Sequence, residues 1–191
     1  MSASRTLEDL VVRLPLDDDI VEALRAEAKS QWPARIRLTS DQSRLENGFL
    51  RSPRRFDAAV AGELLNALHE GPWRSFLMNT YGPLVYPTRS SYIYYGPGDY
   101  VGPHHDVSQC EITGLISLGG EASTLTYPDL DLDGLDLEAF HTAFLDGTVE
   151  REDRIRLPAS TVTFIPGTQL LHARRPAAHE AITLAACYIR A

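Results

Sequence analysis

The run Pro103-His104-His105-Asp106 holds the residues best able to do chemistry in this chain. On an extended strand alternate side chains share a face, so His104 and Asp106 point together and His105 points away. An imidazole nitrogen beside a carboxylate oxygen makes two adjacent ligands for a borderline metal ion. The third ligand must come from a segment distant in sequence. His172 is the best candidate, near the end of a strand-like run that follows Phe164-Ile165-Pro166-Gly167. Two imidazoles and one carboxylate on one side of an octahedron leave three positions open. That donor set suits Fe(II), which needs open positions for O2 and an organic co-ligand. A closed four-ligand zinc site would have nothing to offer a substrate. A His-x-Asp pair alone, or a strand-end histidine alone, is commonplace; their combination with β-rich sequence and Gly turns is specific. His69, His141 and His179 read as groups on helix or loop surfaces.

The elements that must position these groups change character along the chain. The first eighty-odd residues read as helical. Ile20, Val21, Leu24 and Ala28 recur at helical spacing behind Asp17-Asp18-Asp19, acidic residues that suit a helix N-terminus. A second helical stretch runs from about Phe56 through Leu68 to Gly71-Pro72, and a shorter one covers Trp73 to Tyr81. From Pro87 onward, β-rich runs alternate with Gly/Pro punctuation: 91–95, 111–118, 123–127, 160–165, 169–173 and 181–189. Strands at this density with few helices between them indicate an antiparallel sandwich or barrel. The reading is mainly β with N-terminal helices, in one domain over 1–191: a helical buttress over 1–86 and a β core over 87–191. An acidic excursion at 128–153 interrupts the core, with a helix around Leu135 to Leu145. Its opening, Asp129 to Gly134, imitates a calcium-binding EF-hand loop, but position twelve is Phe140 where the loop needs a bidentate Glu.

Composition bounds the partners. The chain has 191 residues and a net charge of -8, with 43% hydrophobic and 23% charged residues. That balance suits a packed globular domain, and it argues against nucleic-acid binding and against a polybasic membrane anchor. No apolar run is long enough to span a membrane. Cys110 and Cys187 are too few for a disulfide framework and read as core residues on strands; with no secretory signal visible, the expected location is the reduced cytoplasm. Trp32 and Trp73 read as core. Lys29 is the single lysine among 18 basic residues, so any bound carboxylate would meet an arginine fork. Arg51, Arg54 and Arg55 follow Asn47-Gly48 and read as a loop cluster, either a substrate contact or a solvated surface.

Taken together, these motifs resemble the Fe(II)/2-oxoglutarate-dependent oxygenases, in particular the prolyl-4-hydroxylase-like branch. Tyr95-Gly-Pro-Gly98-Asp-Tyr-Val-Gly-Pro103-His104-His105-Asp106 resembles that branch's Tyr-x-x-Gly and His-x-Asp signature. Glu111 to Gly120 followed by Glu121 resembles the strand and Gly-Gly-Glu turn after it, and His172-Ala-Arg-Arg-Pro176 the distal histidine and its proline. The match covers about 91–190. It implies a double-stranded β-helix, the jelly roll shared with cupins. It also implies iron on His104, Asp106 and His172, with 2-oxoglutarate and O2 as co-substrates and ascorbate as an optional addition. The tyrosine that bonds the 2-oxoglutarate carboxylate falls on Tyr95, with Tyr94 next if the register slips, and the small hydroxyl residue of the last strand falls on Thr183. The family's usual cation two residues earlier is Ala181 here, so another arginine must supply the fork. Arg174 is preferred over Arg175 and Arg89; otherwise the co-substrate differs. In halogenating relatives a small residue replaces the carboxylate, so Asp106 points to hydroxylation or another oxidation. The implied enzyme is a dioxygenase acting on a small molecule, such as an amino acid or natural-product intermediate, or on a peptide side chain, as a monomer or homodimer. The alternatives are a cupin-like metal enzyme without 2-oxoglutarate, a protein prolyl hydroxylase and a jelly-roll binding module.

Overall fold

The computed structural model describes residues 7–120, 123–128 and 130–191; the Glu121 and Asp129 of the two motifs above lie outside the described residues. In chain order the elements are α1 (Leu7–Leu10), β1 (Val12–Pro15), α2 (Asp18–Gln31), a 3-10 turn (Trp32–Ala34), β2 (Ile36–Ser40), β3 (Arg44–Glu46), β4 (Phe49–Arg51), β5 (Arg54–Val60), α3 (Glu63–Glu70), α4 (Pro72–Tyr81), β6 (Val85–Tyr95), β7 (Tyr100–His104), β8 (Ile112–Gly119), β9 (Ser123–Thr126), α5 (Leu137–Asp146), β10 (Asp153–Arg156), β11 (Thr161–Ile165), β12 (His172–Arg174) and β13 (Ala181–Arg190).

All the pairings are antiparallel, in the order β1-β11-β8-β13-β6-β5-β7-β12-β9-β10, with β2 on the side of β5. The sheet folds over on itself. Arg174 on β12 donates a hydrogen bond to Thr183 on β13, although three strands intervene in the pairing order. Thr113 on β8 likewise reaches Asp106, just past β7. A long arm (β1, β11, β8, β13, β6) therefore faces a short arm (β7, β12, β9, β10) across an inner space, with β5 bridging them. This is the jelly-roll architecture expected from the sequence.

The outer face of the long arm carries the main core. Ile116, Leu184 and Tyr188 pack against Leu24 of α2, Leu65 of α3 and Leu77 of α4. Full burial of side chains this size contributes about 1.5–3 kcal/mol each. The phenols on this face are closed within the protein. Tyr92 Oη donates to Glu27 Oε1 at 2.6 Å and Tyr94 Oη to the Ala28 carbonyl at 2.7 Å. Glu27 also accepts from the Leu64 and Leu65 amides, satisfying the first turn of α3 from the side of α2. The short arm is backed by α5, whose Phe140 and Phe144 pack on Leu125, Leu171 and Ala173. Asp136 caps α5 through the Glu138 and Ala139 amides, and Gly147 ends it in the left-handed conformation.

Several sequence expectations need correction. The buttress is not purely helical, because β1 to β5 all fall before residue 61. Phe56 to Val60 is strand, not the start of a helix; Phe56, Ala59 and Val60 satisfy helical spacing over five residues, but neighbours β2, β6 and β7 settle the period. Arg51, Arg54 and Arg55 therefore lie on strands. Asn47-Gly48 is the two-residue turn of the β3–β4 hairpin, with positive φ of 52° and 80°. Trp73 is buried as expected, but Trp32 is 40% exposed, lying between the Arg35 guanidinium and the Tyr94 edge. His69 is buried and bonds the Cys187 carbonyl at 2.9 Å. Cys110 sits in a turn, not on a strand, and is joined to Cys187 by a disulfide spanning 77 residues. Counting cysteines argues against a framework of bridges; it does not exclude one bridge that the fold brings together. No helix among the described residues is long and apolar enough to cross a membrane.

Candidate metal centre

His104 ends β7, His172 opens β12, and the two strands pair His104 directly with His172. Their rings lie 4.3 Å apart between centroids. Asp106 follows two residues after His104 and turns onto the same side. Its Oδ1 is 3.6 Å from His104 Nε2 and 3.8 Å from His172 Nε2, and all three ligand atoms lie within 4.8 Å of one another. These gaps are too long for hydrogen bonds and leave room for an ion between the three atoms.

Each ligand is aimed by a neighbour. His104 Nδ1 donates to the Gly102 carbonyl at 2.9 Å, and His172 Nδ1 to the Leu170 carbonyl at 2.8 Å. A carbonyl can only accept, so both protons sit on Nδ1 in the neutral rings, and both Nε2 lone pairs face the centre. Thr113 Oγ1 donates to Asp106 Oδ2 at 2.5 Å, leaving Oδ1 for the metal. The Asp106 amide bonds the Gly167 carbonyl. Gly167 has to be glycine, since a Cβ there would stand 2.6 Å from the Cys110 carbonyl and 2.7 Å from Thr113 Oγ1. His105 turns outward as the alternation requires, and its Nδ1 accepts from the Leu50 amide.

The electrostatics favour a cation. Burial alone would raise the Asp106 carboxyl, but the adjacent His172 and His104 and the Thr113 hydroxyl hold it well below the usual carboxylate range. Burial, reinforced by His104, pushes His172 down to about 4. An ionised carboxylate and a neutral imidazole at neutral pH are the states that bind metal. Thr126, register partner of His172 on β9, is fully buried, and its hydroxyl has no hydrogen-bond partner among the described residues. A hydroxyl left open beside facing acceptors fits a centre completed by an ion and its ligands.

Deeper in the inner space the other expected residues come together. Arg174, 6% exposed, donates from Nη1 to Thr183 Oγ1 at 3.2 Å, and its guanidinium carbon lies 4.4 Å from the centroid of the Tyr95 ring. Burial pushes the Tyr95 phenol up to about 12 despite Arg174. The alternatives separate cleanly. Tyr94 faces the helices, Arg175 turns outward to the Phe144 carbonyl and Glu152, and Arg89 is exposed. Ala181 pairs with Tyr95 in a small apolar cluster. Sequence reasoning missed Thr113 and the open Thr126 hydroxyl. The alternation Thr113, Leu115, Ser117 on β8 was the available signal for a polar inner face.

No protein-family model and no curated protein sequence matches the chain. Solved structures do resemble it. HygX from Streptomyces hygroscopicus, determined with nickel and 2-oxoglutarate bound, is 11% identical, with a TM-score of 0.67 over 98% of this chain and 88% of its own. The non-heme alpha ketoglutarate dependent epimerase SnoN from nogalamycin biosynthesis is 16% identical, with a TM-score of 0.64 over 95% of this chain and 79% of its own. A Pseudomonas putida prolyl-4-hydroxylase is 14% identical, with a TM-score of 0.62 over 95% of this chain and 93% of its own. What these chains share with this one is the fold.

Proposed function

We propose that this protein is a non-haem Fe(II)- and 2-oxoglutarate-dependent oxygenase that hydroxylates, or otherwise oxidises, a small molecule or a peptide side chain. The observation that carries the reading is the facing of His104 Nε2, Asp106 Oδ1 and His172 Nε2 within 4.8 Å on the inner side of a jelly roll. Three protein ligands on one side are a donor set for Fe(II) with open positions. The likeness in fold to proteins named for 2-oxoglutarate supports the same choice.

Fe(II) held by His104, Asp106 and His172 would, with 2-oxoglutarate and O2, supply the oxidising power. The chain's own residues do the rest. The Nδ1 bonds of His104 and His172 fix the ring orientations. Thr113 holds one oxygen of Asp106 and leaves the other to ligate. Arg174, with Thr183 beside it and Tyr95 packed against it, offers a buried cation to the distal carboxylate of the co-substrate, in place of the cation missing at Ala181. With Asp106 present, the position a halide would take is filled, so hydroxylation or a related oxidation is favoured.

The test is spectroscopic. Anaerobic addition of Fe(II) and 2-oxoglutarate should give a weak visible charge-transfer band that His172→Ala abolishes and that Arg174→Ala shifts to higher 2-oxoglutarate concentration. Tight Fe(II) binding with no response to 2-oxoglutarate would reject the co-substrate and leave a cupin-like metal enzyme.

A further inference from the structure

Five threonines are buried among the described residues: Thr113, Thr124, Thr126, Thr163 and Thr183. All five face the inner space, because their strand neighbours Ile112, Leu125, Phe164 and Leu184 belong to the cores on the outer faces of the two arms. A buried hydroxyl is normally hydrogen-bonded. Thr113 donates to Asp106, Thr124 donates to the Ala173 carbonyl and Thr183 accepts from Arg174. The hydroxyls of Thr126 and Thr163 have no partner among the described residues.

The two open hydroxyls differ in what stands beside them. Thr163 pairs with Leu115 on β8 and Arg13 on β1, a row that holds no ligand of the candidate centre. Thr126 pairs with His172, which pairs in turn with His104, so these residues form one row across β9, β12 and β7. The Tyr127 amide donates to the Leu171 carbonyl, which makes Tyr127 and Leu171 a hydrogen-bonded pair of the ladder. Thr126 and His172 are therefore a non-hydrogen-bonded pair, the kind whose Cα atoms approach to about 4.5 Å with their side chains close together. His172 Nδ1 is committed to the Leu170 carbonyl and its Nε2 faces Asp106, so neither nitrogen takes up the hydroxyl. Along β12, Arg174 lies two residues beyond His172, a rise of about 6–7 Å. A five-carbon dicarboxylate with one end on Arg174 brings its other end to the level of the His104–His172–Thr126 row.

We propose that Thr126 is a co-substrate contact, its hydroxyl donating a hydrogen bond to the 2-oxo-acid head of 2-oxoglutarate at the end opposite to Arg174. The inference rests on the oxygenase reading. It gives the co-substrate two protein anchors: a cation for the distal carboxylate and a neutral donor for the end that meets the metal. It also accounts for a hydroxyl left open beside a metal ligand, where a valine of the same shape would bury no unsatisfied group.

The test uses Mn(II) and 2-oxoglutarate as probes, without turnover. Mn(II) is titrated alone, and 2-oxoglutarate is then titrated into the Mn(II)-loaded protein by calorimetry. Thr126→Val should hold Mn(II) affinity within about twofold and weaken 2-oxoglutarate by about ten- to a hundredfold. Thr126→Ser should recover most of that loss, and Thr163→Val should leave both affinities at the parental level. Valine is a strong strand former, and an unchanged metal-free melting temperature checks that each variant folds. Anaerobic Fe(II) supplies a second readout. A donor on the head perturbs the charge-transfer band itself, so Thr126→Val should move the band maximum, whereas Arg174→Ala should change only the 2-oxoglutarate concentration at which the band appears. Unchanged 2-oxoglutarate affinity in Thr126→Val, an equal loss in Thr163→Val, or a weakened affinity with an unmoved band overturns the contact. So does a Val variant that loses Mn(II) affinity before 2-oxoglutarate is added, because the hydroxyl would then serve the ion's own water shell. A parent protein that binds Mn(II) and ignores 2-oxoglutarate rejects the oxygenase reading and this contact with it, a failure distinguishable because it precedes any variant.

Discussion

The two faces of β8, β13 and β6 are built to opposite rules. On the outer face Ile116, Leu184, Tyr92, Tyr94 and Tyr188 are buried under α2, α3 and α4, and each phenol donates to a protein acceptor. On the inner face the same strands present Thr113, Ser117, Thr183 and Arg89, small or polar groups among which Thr113 and Thr183 engage Asp106 of the candidate metal centre and the buried Arg174. A face whose phenols are satisfied from within contributes stability; a face that leaves acceptors facing one another needs a ligand to complete it. Function and folding are thus divided by the period-two alternation of single strands.

The largest effect should appear as a double dissociation between these faces. His104→Ala should lower Mn(II) affinity by more than about 100-fold, since it removes a ligand outright, while shifting the metal-free melting temperature little. Leu184→Ala should do the reverse, costing about 2–5 kcal/mol by urea denaturation while the folded protein keeps its Mn(II) affinity. If Leu184→Ala weakens metal as much as His104→Ala does, the two faces are one cooperative unit and the division fails.

A smaller effect probes the support of the centre. Thr113 does not bind metal but fixes which oxygen of Asp106 is available. Thr113→Val should reduce Mn(II) affinity by about 10–100-fold, with Thr113→Ser recovering most of it. A Val variant with parental affinity would mean that Asp106 is aimed by the Gly167 carbonyl alone. Cys187 Sγ lies 3.9 Å from Thr113 Oγ1, so the disulfide to Cys110 packs directly behind this contact.

These residues also show what the sequence made legible. His104, Asp106 and His172 could be read because strand alternation and metal chemistry each constrain them separately, and the two agree. Arg174 and Thr183 needed the family resemblance, with one step of elimination when Ala181 stood where a cation belonged. The strands before residue 61 were not legible. Phe56 to Val60 is too short for the two periods to separate, and its pairing with β2 and β6 is a tertiary fact. The Cys110–Cys187 bridge was hidden for a similar reason, since two cysteines carry no spacing pattern and only the loop after Asp106 brings them together. Arg54 and Arg55 are adjacent and chemically identical, yet alternation turns them to opposite faces of β5, and Arg55 meets Asp99. Composition could not distinguish them.

The smallest expected effect is a pH dependence of the closed face. His69 is buried between α3 and β13, with Nε2 donating to the Cys187 carbonyl and its ring against Tyr188. Burial lowers its pKa, partly opposed by that carbonyl. A folded-state pKa below the unfolded value of about 6.5 means that the unfolded chain binds the proton first. Stability from this group is therefore complete above about pH 6.5 and is lost as the pH falls from there toward the folded pKa. His69→Gln keeps a donor for the Cys187 carbonyl and removes the titration. Urea midpoints of parent and variant, both metal-free, should therefore converge on acidification, and the difference isolates His69 from His172, which titrates in the same direction on the inner face. A difference that stays constant from pH 8 to pH 5 would mean that His69 keeps its ordinary pKa despite burial, and the outer face would then be less closed than its hydrogen bonds indicate.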